Sequence, residues 1–337
     1  MTTAPEAVSA REPASDPLAT GARNLLRACA EVRPGQRVLL VQEDPALGWY
    51  DTAAPQAVAR EGLAMGASVQ MLAVGGPDQP PPPALAKAQA EADVEIFFAR
   101  LGDQDRFCPR DPGRRTVVSY ARTAAALASD FGRRAHGEML FLKASVDARL
   151  HAAAELRVRC PLGTELIGRA APGPAQDVTI RRFPMCVPAP VLAAGFSGRV
   201  VLAGHLYPTG SQSYQPRSVA LSGPVSVRLE AGRITGLDGR PEDMTRIRRH
   251  YERLAQLFDI DPWICHSWHA GLHPGCTAPI EPEMDPDRWA NSVFGSPGWL
   301  HFHTCGAYAP GEVCWMVAQP TITADGVALW QDGRLVS

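Results

Sequence analysis

Apolar residues in the first half of the chain come in short runs separated by helix-forming stretches. Arg37-Val-Leu-Leu-Val41 follows the turn signal Pro34-Gly35, Ser68–Val74 closes at Gly75-Gly76, and Val94–Phe98 is a third run. Ala53–Met65 and Ala84–Ala92 lie between them and are rich in alanine. Strands alternating with helices of about ten residues predict βαβ units and a parallel sheet. Thr116–Ser119 adds a fourth strand, and Asp147–Val158 reads as a helix leading out of this part.

The second half has a different pattern. Glu165–Ile167, Val178–Ile180, Arg199–Leu202, Val219–Leu221, Val225–Leu229 and Arg233–Thr235 are short apolar runs. Turns such as Gly223-Pro224 and Glu230-Ala-Gly232 separate them, which predicts antiparallel strands. One helix is expected over Pro241–Leu257, with Glu242 and Asp243 in its first turn, where they suit the helix dipole. The fold expected is therefore an α/β domain with a mostly parallel sheet over residues 21–159, then an α+β domain rich in antiparallel strands over 160–337. Residues 1–20, mostly Ala, Pro, Ser, Thr and Glu, read as a disordered arm and not a secretion signal.

Composition narrows the function. The 337 residues are 45% hydrophobic, enough for substantial cores, and the net charge of -2 gives no basic field for nucleic acid. Arg114-Arg115, Arg133-Arg134 and Arg248-Arg249 are pairs too short to form a binding stripe. No apolar run reaches the roughly 18 residues of a membrane span. Eight widely spaced cysteines without a CxxC motif suggest reduced thiols and a cytoplasmic protein. Neither GxGxxG nor GxxxxGK[ST] is present, so no phosphate-cradling loop is expected.

The candidate chemistry is concentrated near the C-terminus. Five of nine histidines fall in His266-Ser-Trp-His269-Ala-Gly-Leu-His273 and His301-Phe-His303. Imidazole is the commonest protein ligand of transition metals. His301 and His303 are two apart in an apolar stretch and share one face if it is a strand. His269 and His273 are read as lying on a loop, because Gly271 and Pro274 disfavour a helix. A third imidazole from that run, His266 or His269, would complete a three-ligand face with positions left open. His205 and His250 read as structural. Glu281, Glu283, Asp285 and Asp287 read as a solvated loop. Glu312, nine residues after His303, is placed to be a ligand or general base, while Tyr308 and His273 are candidates to move a proton. Five of seven tryptophans, Trp263, Trp268, Trp289, Trp299 and Trp315, flank the histidines and suggest an aromatic-walled pocket.

Several stretches resemble one known family. Val32–Val41 is similar to its first strand, Gly271-Leu-His-Pro274 to its G-x-N-P loop, and Asp325–Arg334 to its last hairpin; His301 and Tyr308 match a His and Tyr of its peptidase branch in spacing. The chain resembles the aminopeptidase T-like metallopeptidase superfamily, which includes 2,5-dihydroxypyridine dioxygenase. That resemblance implies an N-terminal α/β domain, a C-terminal domain carrying the metal, and a homodimer. The chain departs from it at Phe183-Pro-Met-Cys-Val187 and Cys314-Trp-Met-Val317, where the peptidases carry metal ligands. A histidine-rich, carboxylate-poor site favours one divalent metal, iron(II) ahead of zinc or manganese. The first expectation is thus an iron(II) ring-cleaving dioxygenase acting on a small aromatic or heteroaromatic substrate. The alternatives are a metal-dependent aminopeptidase or amidase, and a metal-free binding protein on the same fold.

Overall fold

The structure is a computed structural model and describes residues 16–104, 106–107, 109, 111, 113–171, 177–209, 214–307 and 311–336. In the first half, β1 (Arg37–Glu43), β2 (Ser68–Val74), β3 (Val94–Phe98) and β4 (Arg115–Ser119) alternate with the helices Ala53–Ala64 and Ala84–Glu91. β3 is buried along its whole length, as a strand covered by helices on both faces must be. The helix Pro17–Arg23 starts inside the stretch expected to be a disordered arm. Asp16 caps it by accepting from the Leu18 N–H at 3.0 Å, and Pro17 presets its first turn.

The helix expected over 147–158 is shifted. A helix runs from His136 to Ala152, and β5 (Leu156–Arg159) follows it. Leu156 and Val158 are buried while Arg157 and Arg159 are not, a period of two that marks a strand. Then come β6 (Glu165–Gly168), β7 (Arg181–Phe183), β8 (Val191–Leu192), β9 (Phe196–Leu202), β10 (His205–Pro208) and β11 (Val219–Ala220). The strand expected at Val178–Ile180 is displaced to β7. The chain continues through β12 (Val225–Glu230), β13 (Arg233–Asp238), the helix Pro241–Phe258, β14 (Cys265–Ala270), the helix Pro286–Val293, β15 (Trp299–Cys305) and β16 (Glu312–Ala318). β17 (Thr321–Ala324), β18 (Val327–Gln331) and β19 (Arg334–Leu335) end it.

These strands form three sheets among the described residues. The first is parallel, in the order β2-β1-β3-β4-β7. The other two are antiparallel, ordered β11-β10-β16-β15-β14-β8 and β13-β12-β9-β6-β5-β17-β18-β19. The chain does not change sheets once at residue 160. β5 already belongs to a C-terminal sheet, and β7 returns to the parallel one.

The helix Pro241–Phe258 packs on the six-stranded sheet and buries Ile247, Tyr251 and Leu254, a spacing that lines one helical face. The Tyr251 hydroxyl lies 2.6 Å from the Thr304 hydroxyl on β15 and accepts from Trp315 Nε1 on β16 at 2.8 Å. The strand carrying His301 and His303 is therefore fixed from behind. No helix among the described residues is long and apolar enough to cross a membrane.

Candidate metal centre

β14 and β15 are antiparallel neighbours, and their register sets His269 opposite His301 and Ser267 opposite His303. Directly opposite residues project to the same face, as do residues two apart on one strand. All three rings therefore meet: centroids are 5.0 Å apart for His269 and His301, 5.2 Å for His269 and His303, and 4.6 Å for His301 and His303. One ring nitrogen from each lies within 4.8 Å of the other two. His269 is on a strand and not on the loop that Gly271 and Pro274 suggested, because those residues follow the strand's end.

Glu312, the first residue of β16, is fully buried behind this group. Its Oε1 holds His303 Nδ1, and its Oε2 accepts from Arg106 Nη2 at 3.1 Å. Burial pushes the Glu312 carboxyl up, but His303 and Arg106 outweigh it and hold it down at about 2. An ionised carboxylate only accepts, so His303 carries its proton on Nδ1 and turns Nε2 outward as a free ligand atom. Burial, and then the neighbouring imidazoles, hold His269 and His301 well below the usual histidine range. Both rings are thus neutral, the form that ligates metals.

The donor set fits a metal. Both ring nitrogens of His301 and Nδ1 of His269 are buried without a hydrogen-bond partner among the described residues. Orphaned buried polar atoms are costly, and a cation shared by the three rings would satisfy one on each. His303, Glu312 and Cys314 form a second close group. It fits a metal less well, since Arg106 and His303 occupy the carboxylate, and burial and then the Glu312 charge hold the Cys314 thiol well above its usual range.

The remaining candidates stand outside the three-ring group. His266 lines the same cavity, but its Nε2 bonds the Cys305 carbonyl at 2.8 Å and it is outside the three-ring group. His273 is fully buried away from the cavity: Nδ1 accepts from the Gly275 N–H at 3.1 Å and the ring sits edge-on to Phe131. It lies past the end of β14 and outside the cavity lining, so it is not placed to move a substrate proton. Tyr308 lies outside the described residues. None of the five tryptophans is among the described residues lining this cavity: Trp268 and Trp315 are in the large core, and Trp289 packs edge-on against Trp299 in a smaller one.

Beside the imidazoles is a cavity of about 170 Å³. Its other wall comes from the parallel sheet: Tyr50 follows β1, Arg100 and Asp103 follow β3, and Tyr120 and Arg122 follow β4. The chain adds β2 on one side of β1 and β3 on the other, so strand order reverses between β1 and β3, and α/β sheets take ligands outside their carboxyl ends at such a switch point. Glu43, the last residue of β1, closes that point by pairing with the Arg100 guanidinium at 2.8 Å and accepting from its backbone N–H at 2.9 Å. No motif marks these residues. The signal that could have found them was position, directly after predicted parallel strands.

No family model matches the chain, and no curated protein matches it in sequence. Solved structures do match over nearly its whole length. 2,5-Dihydroxypyridine dioxygenase from Pseudomonas putida covers 96% of this chain and 99% of its own at 15% identity, with a TM-score of 0.61. AmpT from Thermus thermophilus covers 95% of this chain and 99% of its own at 14% identity, with a TM-score of 0.54. Likeness at these identities is likeness of fold. The chain therefore has the fold of both of these proteins, as the resemblance of its motifs implied.

Proposed function

We propose that the chain is a mononuclear metal-dependent oxygenase that opens a small aromatic or heteroaromatic ring, with iron(II) held by His269, His301 and His303. The observation that carries this reading is the convergence of three imidazoles beside a cavity wide enough for one ring. The cavity measures about 170 Å³. An apolar cavity of about 150 Å³ is enough for benzene. A two-metal hydrolase also needs carboxylates free to bridge metals about 3.5–4 Å apart. The carboxylates lining this cavity are engaged: Glu312 with His303 and Arg106, and Asp103 with the Tyr120 hydroxyl at 3.0 Å.

Iron(II) would supply the one-electron chemistry that dioxygen requires. The chain supplies the rest. Tyr120 and Phe294 meet edge-on at 5.1 Å and form an aromatic corner beside His269 and His301. Glu312 fixes the His303 tautomer. Burial and then the Asp103 charge hold the Tyr120 phenol well above its usual range, so it remains a hydrogen-bond donor.

The test is oxygen uptake with dihydroxypyridines and dihydroxybenzenes, together with metal analysis of the purified protein. Stoichiometric iron, with oxygen uptake that His301→Ala abolishes, supports the reading. One observation favours a second reading: three histidines with an open fourth position also suit catalytic zinc. Amine release from a small amide without oxygen uptake would replace the oxygenase by a hydrolase.

A further inference from the structure

Four arginines line the cavity, and three have a carboxylate partner. Arg100 pairs with Glu43 at 2.8 Å, Arg106 with Glu312 at 3.1 Å, and Arg182 with Asp177 at 2.9 Å. Arg122 does not. Its Nε and Nη1 are buried without a hydrogen-bond partner, and among the described residues no carboxylate oxygen is within ion-pair distance. The nearby Asp51 carboxylate accepts from the Ala54 N–H at 2.8 Å and the Ala124 N–H at 2.7 Å, so it is spent on two helix starts. The Arg122 guanidinium rests instead against aromatic rings, 5.1 Å from the Trp49 centroid and 5.9 Å from that of Tyr50.

A partly buried guanidinium with idle donors is expensive unless something pairs with it. Its planar fork matches a carboxylate in a bidentate way, and the flanking rings hold that plane in place. Arg122 shares its cavity with His269, His301 and His303, so one bound molecule can meet both.

We propose that Arg122 anchors a carboxylate on the substrate, which makes the substrate a monocyclic ring acid. The ring lies along Tyr120 and Phe294, its carboxylate bonds Arg122, and its reacting edge faces the imidazoles. This deepens the oxygenase reading and rests on it for the reaction, but the anchor itself needs no metal.

Benzoate and benzamide, which share a ring and differ in charge, are the probes. Their affinities are measured by calorimetry on the protein as purified and after chelator treatment, for wild type, Arg122→Met and Arg122→Lys. A charge-assisted pair predicts benzoate tighter by roughly tenfold or more in wild type, with or without metal. Arg122→Met should lose that preference and Arg122→Lys keep part of it. A crystal structure with 4-bromobenzoate reads the same contact without a variant: its carboxylate should lie within hydrogen-bond distance of Arg122. Equal affinities, no binding of either probe, an undiminished preference in Arg122→Met, or a carboxylate seated elsewhere overturns the proposal. A benzoate preference in a protein that takes up no iron leaves the anchor standing and removes the oxygenase. Iron-dependent oxygen uptake without that preference does the reverse.

Discussion

His269 and His301 face each other across two antiparallel strands with ring centroids 5.0 Å apart, and neither Nδ1 has a hydrogen-bond partner. Two neutral imidazoles gain nothing from such an approach in a dry interior. A shared cation, as proposed above, would give the pair a purpose.

That pair yields a first prediction. His301→Ala should abolish tight binding of one divalent metal per chain, with the fold kept, because the rings lie on a strand fixed by Tyr251 and Trp315. Elemental analysis and circular dichroism check this. Metal addition should raise the wild-type melting temperature, since a ligand held at 100 times its dissociation constant stabilises by about 2.7 kcal/mol. The variant should show no such rise, and an equal rise would remove His301 from the centre.

Glu312 acts through His303. Glu312→Gln cannot enforce the same tautomer, and loss of such an outer partner typically costs roughly 10–100-fold in metal affinity. Arg106→Met should weaken metal binding less, because Glu312 then keeps His303 but loses the Arg106 pairing at 3.1 Å. Competition with a metal-sensitive dye ranks the two, and the reverse order would contradict the relay.

The Glu43–Arg100 pair at the switch point is almost wholly inaccessible to solvent. Glu43→Ala leaves a buried charge without its partner and should destabilise the fold by about 3–5 kcal/mol. Replacing both residues by leucine and methionine should recover most of that loss. Urea midpoints for the two variants decide it.

Stability should fall on mild acidification. Burial pushes His136, His250 and His273 down to about 4. These rings stay neutral in the folded chain while the unfolded chain protonates them below about 6.5. The unfolded state then binds more protons between those values, so stability drops as pH falls, by at most about 2 kcal/mol per ring at pH 5. Asp287 opposes this: burial pushes its carboxyl up to about 6, so its folded form holds a proton the unfolded form has lost, and its penalty eases as pH falls. Three groups outweigh one. His250→Gln should flatten the difference in urea midpoint between pH 7 and pH 5; an unchanged slope would clear His250.

Much was legible in the residues. The β1, β3 and β4 runs, the Pro241 helix and the period of two at His301 and His303 are local patterns, and local patterns depend on nearest neighbours in sequence. His269 was legible as a candidate and not as a strand residue, because the glycine and proline just beyond it masked the end of β14. His273 looked equivalent to it by composition. Four residues after His269 and past the strand's end, it points into the core against Phe131.

The sequence by itself determined the two kinds of sheet, the strand that holds two imidazoles on one face, and a region poor in free carboxylates. Periodicity and composition carry that information, because a strand's alternation and a side chain's chemistry are written in adjacent letters. Only the tertiary structure decided which third histidine joins them, that Glu312 and Arg106 stand behind His303, and that Arg122 reaches the same cavity. Those relationships depend on strand register and on the parallel sheet's ends meeting the antiparallel sheet. Cross-strand register is a contact between distant segments, and no single stretch of residues encodes it.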